Sequence, residues 1–181
     1  MTEQVDSVVR EPGFIRKVIM GKNSYKPDSW VWRRAGILMA LAVIAGLYVT
    51  GHLVEARGVS APYSLYWRLS GKPVKGDYVL FNMDQPFIGK RVMVVKGVVC
   101  TPGDRLKVTR DAAWCNGKYL GNKREHAMDG RILPDFRWNG PVPDNRLFVM
   151  NDHIYSFDSR YYGFVDSDIV TRLQPLYIPT W

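Results

Sequence analysis

The sequence predicts a mostly β domain anchored to a membrane by one N-terminal transmembrane helix. Two observations carry this. Residues 35–54 read AGILMALAVIAGLYVTGHLV, without a single Asp, Glu, Lys or Arg. After Glu55, short β-rich runs alternate with turn signals, and no convincing amphipathic helix interrupts them.

The apolar run comes first in the chain. Its 20 residues are about the length a helix needs to cross the hydrocarbon layer. Core helices are seldom apolar on every side, and the run starts too late and extends too long for an ordinary cleaved leader. Trp30 and Trp32 precede it, where amphipathic rings favour the headgroup level, and His52 lies near its far end. Arg10, Arg16, Lys17, Lys22, Lys26, Arg33 and Arg34 all come before the span. The positive-inside rule therefore places the N-terminus in the cytoplasm, although Arg57 and Arg68 soon after the span make the bias incomplete. The expected organisation is a cytoplasmic tail over 1–34, a transmembrane helix over 35–54 and an extracytoplasmic domain over 55–181. In a Gram-negative host that domain lies in the periplasm, on the inner membrane. Within the tail, Phe14, Ile15, Val18 and Ile19 sit at helical spacing among Arg16, Lys17 and Lys22, which fits a short interfacial helix or a flexible tail.

The strands follow. Tyr78–Phe81, Arg91–Cys100, Leu106–Val108, Leu147–Met150 and Asp168–Val170 read as strands. Pro102-Gly103-Asp104, Asn116-Gly117, Asp129-Gly130 and Asn139-Gly140 read as turns between them, and Asn-Gly at 116–117 is a two-residue hairpin signal. A chain of 181 residues has room for one such domain beside an anchor and a tail. Two cysteines are too few for a disulfide-stapled fold or a zinc site, so the domain needs a proper core. The net charge of +8 fits nucleic acid, an anionic membrane or a basic surface without function. No arginine-rich helix, RNP-like pattern or zinc-finger spacing supports nucleic acid, so part of the charge belongs to the membrane. No phosphate loop, dinucleotide fingerprint or metal-ligand cluster is present, and no cofactor is expected.

The chemistry concentrates on a serine and a lysine. Val92, Val94, Lys96, Val98 and Cys100 fall on one face of a strand, because side chains alternate along it. Lys96 is the one ionisable group on that apolar stripe. Desolvation disfavours its ammonium and lowers its pKa, as a neutral general base requires. The strand alone favours an edge lysine that snorkels to water. Ser60 stands six residues beyond Val54 and precedes Pro62, which keeps the local chain extended. By itself it reads as an ordinary loop serine. Cys100 and Cys115 flank the stretch containing Pro102-Gly103-Asp104 and either pair across it in an oxidising periplasm or remain thiols.

Four boxes occur in order: Ser60-Ala61-Pro62-Tyr63-Ser64-Leu65-Tyr66, Gly76-Asp77-Tyr78-Val79-Leu80-Phe81, Lys96 to Asp104, and Ser156-Phe157-Asp158-Ser159-Arg160-Tyr161-Tyr162-Gly163. Together they resemble the successive boxes of the type I signal peptidase family, over roughly residues 55 to 178. The short domain, the Ser-x-Pro start and the SFDSRYYG block resemble most its TraF-type branch, which matures pilins for conjugative DNA transfer. The resemblance implies a signal-peptidase-like β domain with Ser60 as nucleophile and Lys96 as general base. Ser60 attacks the scissile carbonyl, and neutral Lys96 takes its proton, passes it to the leaving amine and then activates water. Ser156 matches the serine that hydrogen-bonds the lysine amine. Asp158 and Arg160 match a buried ion pair that supports that wall.

The resemblance further implies a membrane-tethered precursor as partner, a propilin, with small residues such as alanine before the cut. Conjugation-apparatus proteins are the other partners it suggests. Hydrolysis and cyclisation of the acyl-enzyme share every step except the last nucleophile, so the sequence leaves both open. A housekeeping leader peptidase and a non-catalytic component of a secretion or conjugation machine are the rival readings. Three positions depart from the family pattern. Gly58 stands where many relatives carry a hydroxyl that donates to the oxyanion, and Ser64 stands where TraF-type chains have glycine, a rival nucleophile. His153 invites a Ser-His pairing, but nothing in the sequence places a carboxylate partner on it, and a surface or hairpin histidine is the favoured reading.

Overall fold

The computed structural model describes residues 29–57 and 60–176. It divides into two compact units, one ending at Gly46 and one beginning at Leu47. Within the first runs most of helix α1, Ser29–His52. None of its residues is buried, and it is long and apolar enough to cross a membrane.

The helix departs from the expected 35–54 at both ends. It begins at Ser29, because Trp30 to Arg34 contain no helix breaker and extend the same backbone hydrogen bonding. It ends at His52, whose Nδ1 donates to the Tyr48 carbonyl (2.8 Å) in the last turn. Leu53 and Val54, expected inside the span, instead open strand β1, Leu53–Glu55. The interfacial segment expected near Phe14 lies outside the described residues.

The second unit is built from antiparallel strands, as the sequence predicts. After β1 come β2 (Leu65–Leu69), β3 (Tyr78–Met83), β4 (Val92–Cys100), β5 (Arg105–Val108) and β6 (Ala112–Cys115). Then follow β7 (Lys118–Asn122), β8 (Trp138–Pro141), β9 (Arg146–Met150), β10 (Val165–Asp166) and β11 (Thr171–Pro175). One sheet has the order β1-β2-β11-β3-β4-β9-β10 and the other β7-β6-β5-β8. Asn116 and Gly117 both take positive φ (50° and 80°) and join β6 to β7, the backbone an Asn-Gly hairpin turn requires.

Two expectations fail here. Asn139-Gly140 is no turn: both residues lie in β8, opposite Lys107 and Leu106 of β5. Asp168–Val170 is no strand: Asp168 N–H donates to Asp166 Oδ1 (2.9 Å), an Asx-type turn that leaves Ile169 exposed between β10 and β11. A single short helix, α2 (Ser159–Tyr162), also breaks the β pattern, capped by the Asp158 carboxylate on Arg160 N–H.

Strand β4 organises the core. Val98 packs with Val79, Phe81, Leu147 and Val149; Val95 packs with Val54, Tyr66, Leu80 and Leu173 on the other face. Its end, Cys100, joins a third cluster with Leu106, Val142 and Phe148 that lies against the smaller sheet. A shift in pairing with β9 between Val98 and Cys100 re-aims the strand there. The structure bonds Cys100 to Cys115, Cα atoms 6.1 Å apart, so a disulfide ties β4 to β6.

Candidate active site

Lys96 sits in the middle of β4 opposite Val79 of β3. Alternation puts it on the stripe with Val94 and Val98, and only 3% of its surface remains exposed. The snorkelling alternative is therefore wrong: the amine is buried and faces two loop serines rather than water. Its Nζ donates to Ser156 Oγ at 2.8 Å and to Ser60 Oγ at 3.4 Å. Burial pulls its pKa down to about 8; the nearby Asp158 carboxylate opposes the shift and the Arg160 guanidinium adds to it.

Ser60 is half-buried, in a turn leading to β2, and one contact fixes its backbone. Asn151 Nδ2 donates to the Ser60 carbonyl (2.7 Å) and to the Val95 carbonyl (3.0 Å), while Gly97 N–H donates to Asn151 Oδ1 (3.1 Å). Asn151, 3% exposed, thus clamps the serine loop to the two residues that flank Lys96. Sequence reasoning missed it. Its one signal is its position as the first polar residue after the apolar run of β9, whose last residue, Met150, lies opposite Gly97. Gly97 fits this crowded place because a Cβ there would stand 3.2 Å from the Met150 carbonyl.

Behind Ser156, Asp158 and Arg160 form a two-pronged ion pair, Nε to Oδ1 and Nη2 to Oδ2, both 2.8 Å. Asp158 is fully buried and Arg160 is 5% exposed; Arg160 Nη1 also donates to the Asn122 carbonyl (2.8 Å) at the end of β7. Ser159 Oγ accepts from Val149 N–H (3.0 Å), which pins α2 to β9. The loop that carries Ser156 is therefore held from both sheets.

A cavity of about 350 Å³ opens beside the serine, lined by Ala56, Ser60, Ala61, Leu80, Val94 and Val95 among others. Small residues Ala56, Ala61, Val94 and Val95 form part of its wall, and Glu55, Arg57 and Arg68 make the rest charged. Ser64, the rival nucleophile, offers its carbonyl to Ala56 N–H (2.9 Å). His153 Nδ1 accepts from Tyr155 N–H (3.2 Å), a local contact within its own loop. Gly58, the departure at the oxyanion position, lies outside the described residues. Cys100, Cys115 and Asp104 come together, but the two sulfurs are bonded to each other and leave no thiolate for a metal ion.

The sequence matches the signal peptidase family, peptidase S26, over residues 22–177. That is most of the chain. The chain belongs to the signal peptidase family. By class it is a serine endopeptidase, and the family together with helix α1 makes it a membrane-anchored protein. A signal peptidase I of Bacillus caldolyticus is 34% identical over 57% of this chain, which spans 60% of that relative's length. A plasmid transfer protein TraF of Escherichia coli is 30% identical over 81% of this chain and 95% of its own. A solved signal peptidase I from Enterococcus faecalis, 23% identical, covers 56% of this chain and 96% of that one, at a TM-score of 0.36, too loose an overlay to add to the assignment.

Proposed function

We propose that this signal peptidase family member cuts membrane-tethered precursors through an acyl-enzyme on Ser60, with Lys96 as general base. The observation that carries the reading is the buried Lys96 amine within reach of the Ser60 hydroxyl, its pKa drawn toward neutrality. In its neutral form Lys96 takes the Ser60 proton as Oγ bonds to the scissile carbonyl carbon. It then hands that proton to the departing nitrogen as the C–N bond breaks, draws one from the water that attacks the ester, and returns it to Ser60 Oγ as the ester C–O bond breaks. Ser156 holds the amine in line, and the Asp158–Arg160 pair fixes the Ser156 loop. Asn151 positions the nucleophile's backbone.

The chain is further read as a tail over 1–34, a transmembrane helix in the stretch 35–54 and a peptidase domain over 55–181. The basic residues before the span support a tail in the cytoplasm and a domain in the periplasm, on the inner membrane. The substrate proposed is the propilin of a conjugative transfer system, working alongside other proteins of that apparatus. The match along 95% of a plasmid transfer protein TraF supports this over a housekeeping role. Intact mass spectrometry of the candidate pilin tests it, in cells carrying wild type, Ser60→Ala or Lys96→Ala. Both variants are expected to leave the precursor uncut while remaining folded in the membrane. Processing that continues in both overturns the dyad, and an unprocessed pilin in wild-type cells overturns the substrate.

A further inference from the structure

Lys96 Nζ bonds two serines, and each serine lines a different cavity. Ser60 lines the one described above. The second, of about 250 Å³, is lined by Ser156 together with Phe87, Arg124, Met128, Tyr155 and Phe157, among others.

Three loops build this second cavity. Phe87 comes from the β3–β4 connection, and its ring stacks on Phe157 at 4.9 Å. Arg131 covers Phe87 at 4.3 Å and donates Nη1 to the Phe87 carbonyl (2.7 Å), so that wall is fixed from behind. The bridge between His126 and Ile132, with Ala127 N–H on the Arg131 carbonyl (2.9 Å), folds the middle loop into a tight hairpin. Met128 lies at its tip, 76% exposed. The Arg124 guanidinium lies 4.5 Å over the Tyr155 ring, and its Nε is buried without a hydrogen-bond partner among the described residues. Met128 and Tyr155 (48% exposed) leave apolar surface open to solvent around the half-buried rings of Phe87 and Phe157, the kind of wall that an apolar side chain covers.

The chemistry of the site says which occupant fits. When the ester forms, the departing nitrogen must reach Lys96 Nζ to be protonated, so the released chain leaves past the amine whose other partner is Ser156. We propose that this cavity is the subsite for the polypeptide released at the cut. It takes an aromatic or long apolar side chain from the first two residues after the scissile bond, held between Phe87, Tyr155 and Phe157. The proposal rests on the reading of Ser60 and Lys96 as the dyad.

The test uses the full chain in lipid vesicles. Its substrates are membrane-tethered precursors with alanine at the first and third positions before the cut. Ser, Leu, Phe or Tyr is placed at each of the first two positions after it. The best aromatic or apolar precursor is expected to exceed the serine one by roughly tenfold in kcat/KM. That ratio should fall to near one in Tyr155→Ala, and should drop in Met128→Ala, a change at an exposed loop tip that leaves the core untouched. A ratio near one in wild type, or a ratio that survives both substitutions, overturns the subsite. Ser60→Ala separates the two ideas. If it abolishes cutting of every precursor, the dyad stands whichever way the ratios fall; if cutting persists, the dyad fails and the subsite fails with it.

Discussion

Replacing Lys96 by methionine should make this protein more stable relative to wild type at neutral pH than at high pH. Lys96 ordinarily titrates at 10.5, and in the folded chain at about 8. Between those values the unfolded chain binds a proton that the folded chain does not, so burial of Lys96 makes stability rise with pH across that window. Below pH 8 the full penalty applies, about 3 kcal/mol for a shift of this size. Methionine keeps the length and apolar stem but carries no charge. It also forfeits the bond to Ser156, a loss of about 1–3 kcal/mol that does not depend on pH. The informative quantity is therefore the difference between the two proteins as pH changes. Urea unfolding of both in detergent, with the disulfide intact, at steps from pH 7 to 11, measures it. The stability of Lys96→Met relative to wild type should drop by about 3 kcal/mol across that range. A difference that stays constant with pH would refute the claim that Lys96 is folded with a depressed pKa.

Asn151→Ala should destabilise by about 1–3 kcal/mol, because Gly97 N–H loses its buried acceptor, and should lower kcat/KM by releasing the Ser60 loop. Asn151→Asp should destabilise at least as much, because a buried carboxylate oxygen would face the Ser60 and Val95 carbonyls; urea unfolding and cleavage assays check both variants. Replacing Cys100 and Cys115 together by serine should lower stability by about 3 kcal/mol for a loop with this separation of 15 residues, read from urea unfolding. Ser156→Ala should cut kcat by roughly 10- to 100-fold with KM little changed, since it orients the amine rather than the substrate; the rates of a purified precursor at saturation check this.

Several features were legible in the sequence because they depend on local periodicity. The period of two along β4 placed Lys96 on an apolar stripe, whose Lys96, Val98 and Cys100 are buried while Val92 and Val94 are partly so. Asn116-Gly117 announced its hairpin because only residues tolerant of positive φ make that turn. What depends on contacts distant in sequence was not legible from pattern alone. The Ser60–Lys96 approach spans 36 residues and entered through the four ordered boxes, not through periodicity. Asn151 carried no pattern, since its importance lies in reaching two strand carbonyls and an amide from the end of another strand. Asn139-Gly140 misled because pairing to β5 overrode a local turn preference. The helix ends moved because a helix extends until its backbone finds other partners, and the partner of Leu53–Glu55 is β2.

The central claim is that a neutral Lys96 activates Ser60. The pH dependence of kcat/KM between pH 6 and 10, on a membrane-tethered precursor with alanine before the cut, tests it most directly. With a pKa of about 8, about a tenth of Lys96 is neutral at pH 7. The rate should therefore climb about tenfold per pH unit at low pH and level off above pH 8. A plateau already reached by pH 7, or a rate still climbing beyond pH 9.5, would contradict it.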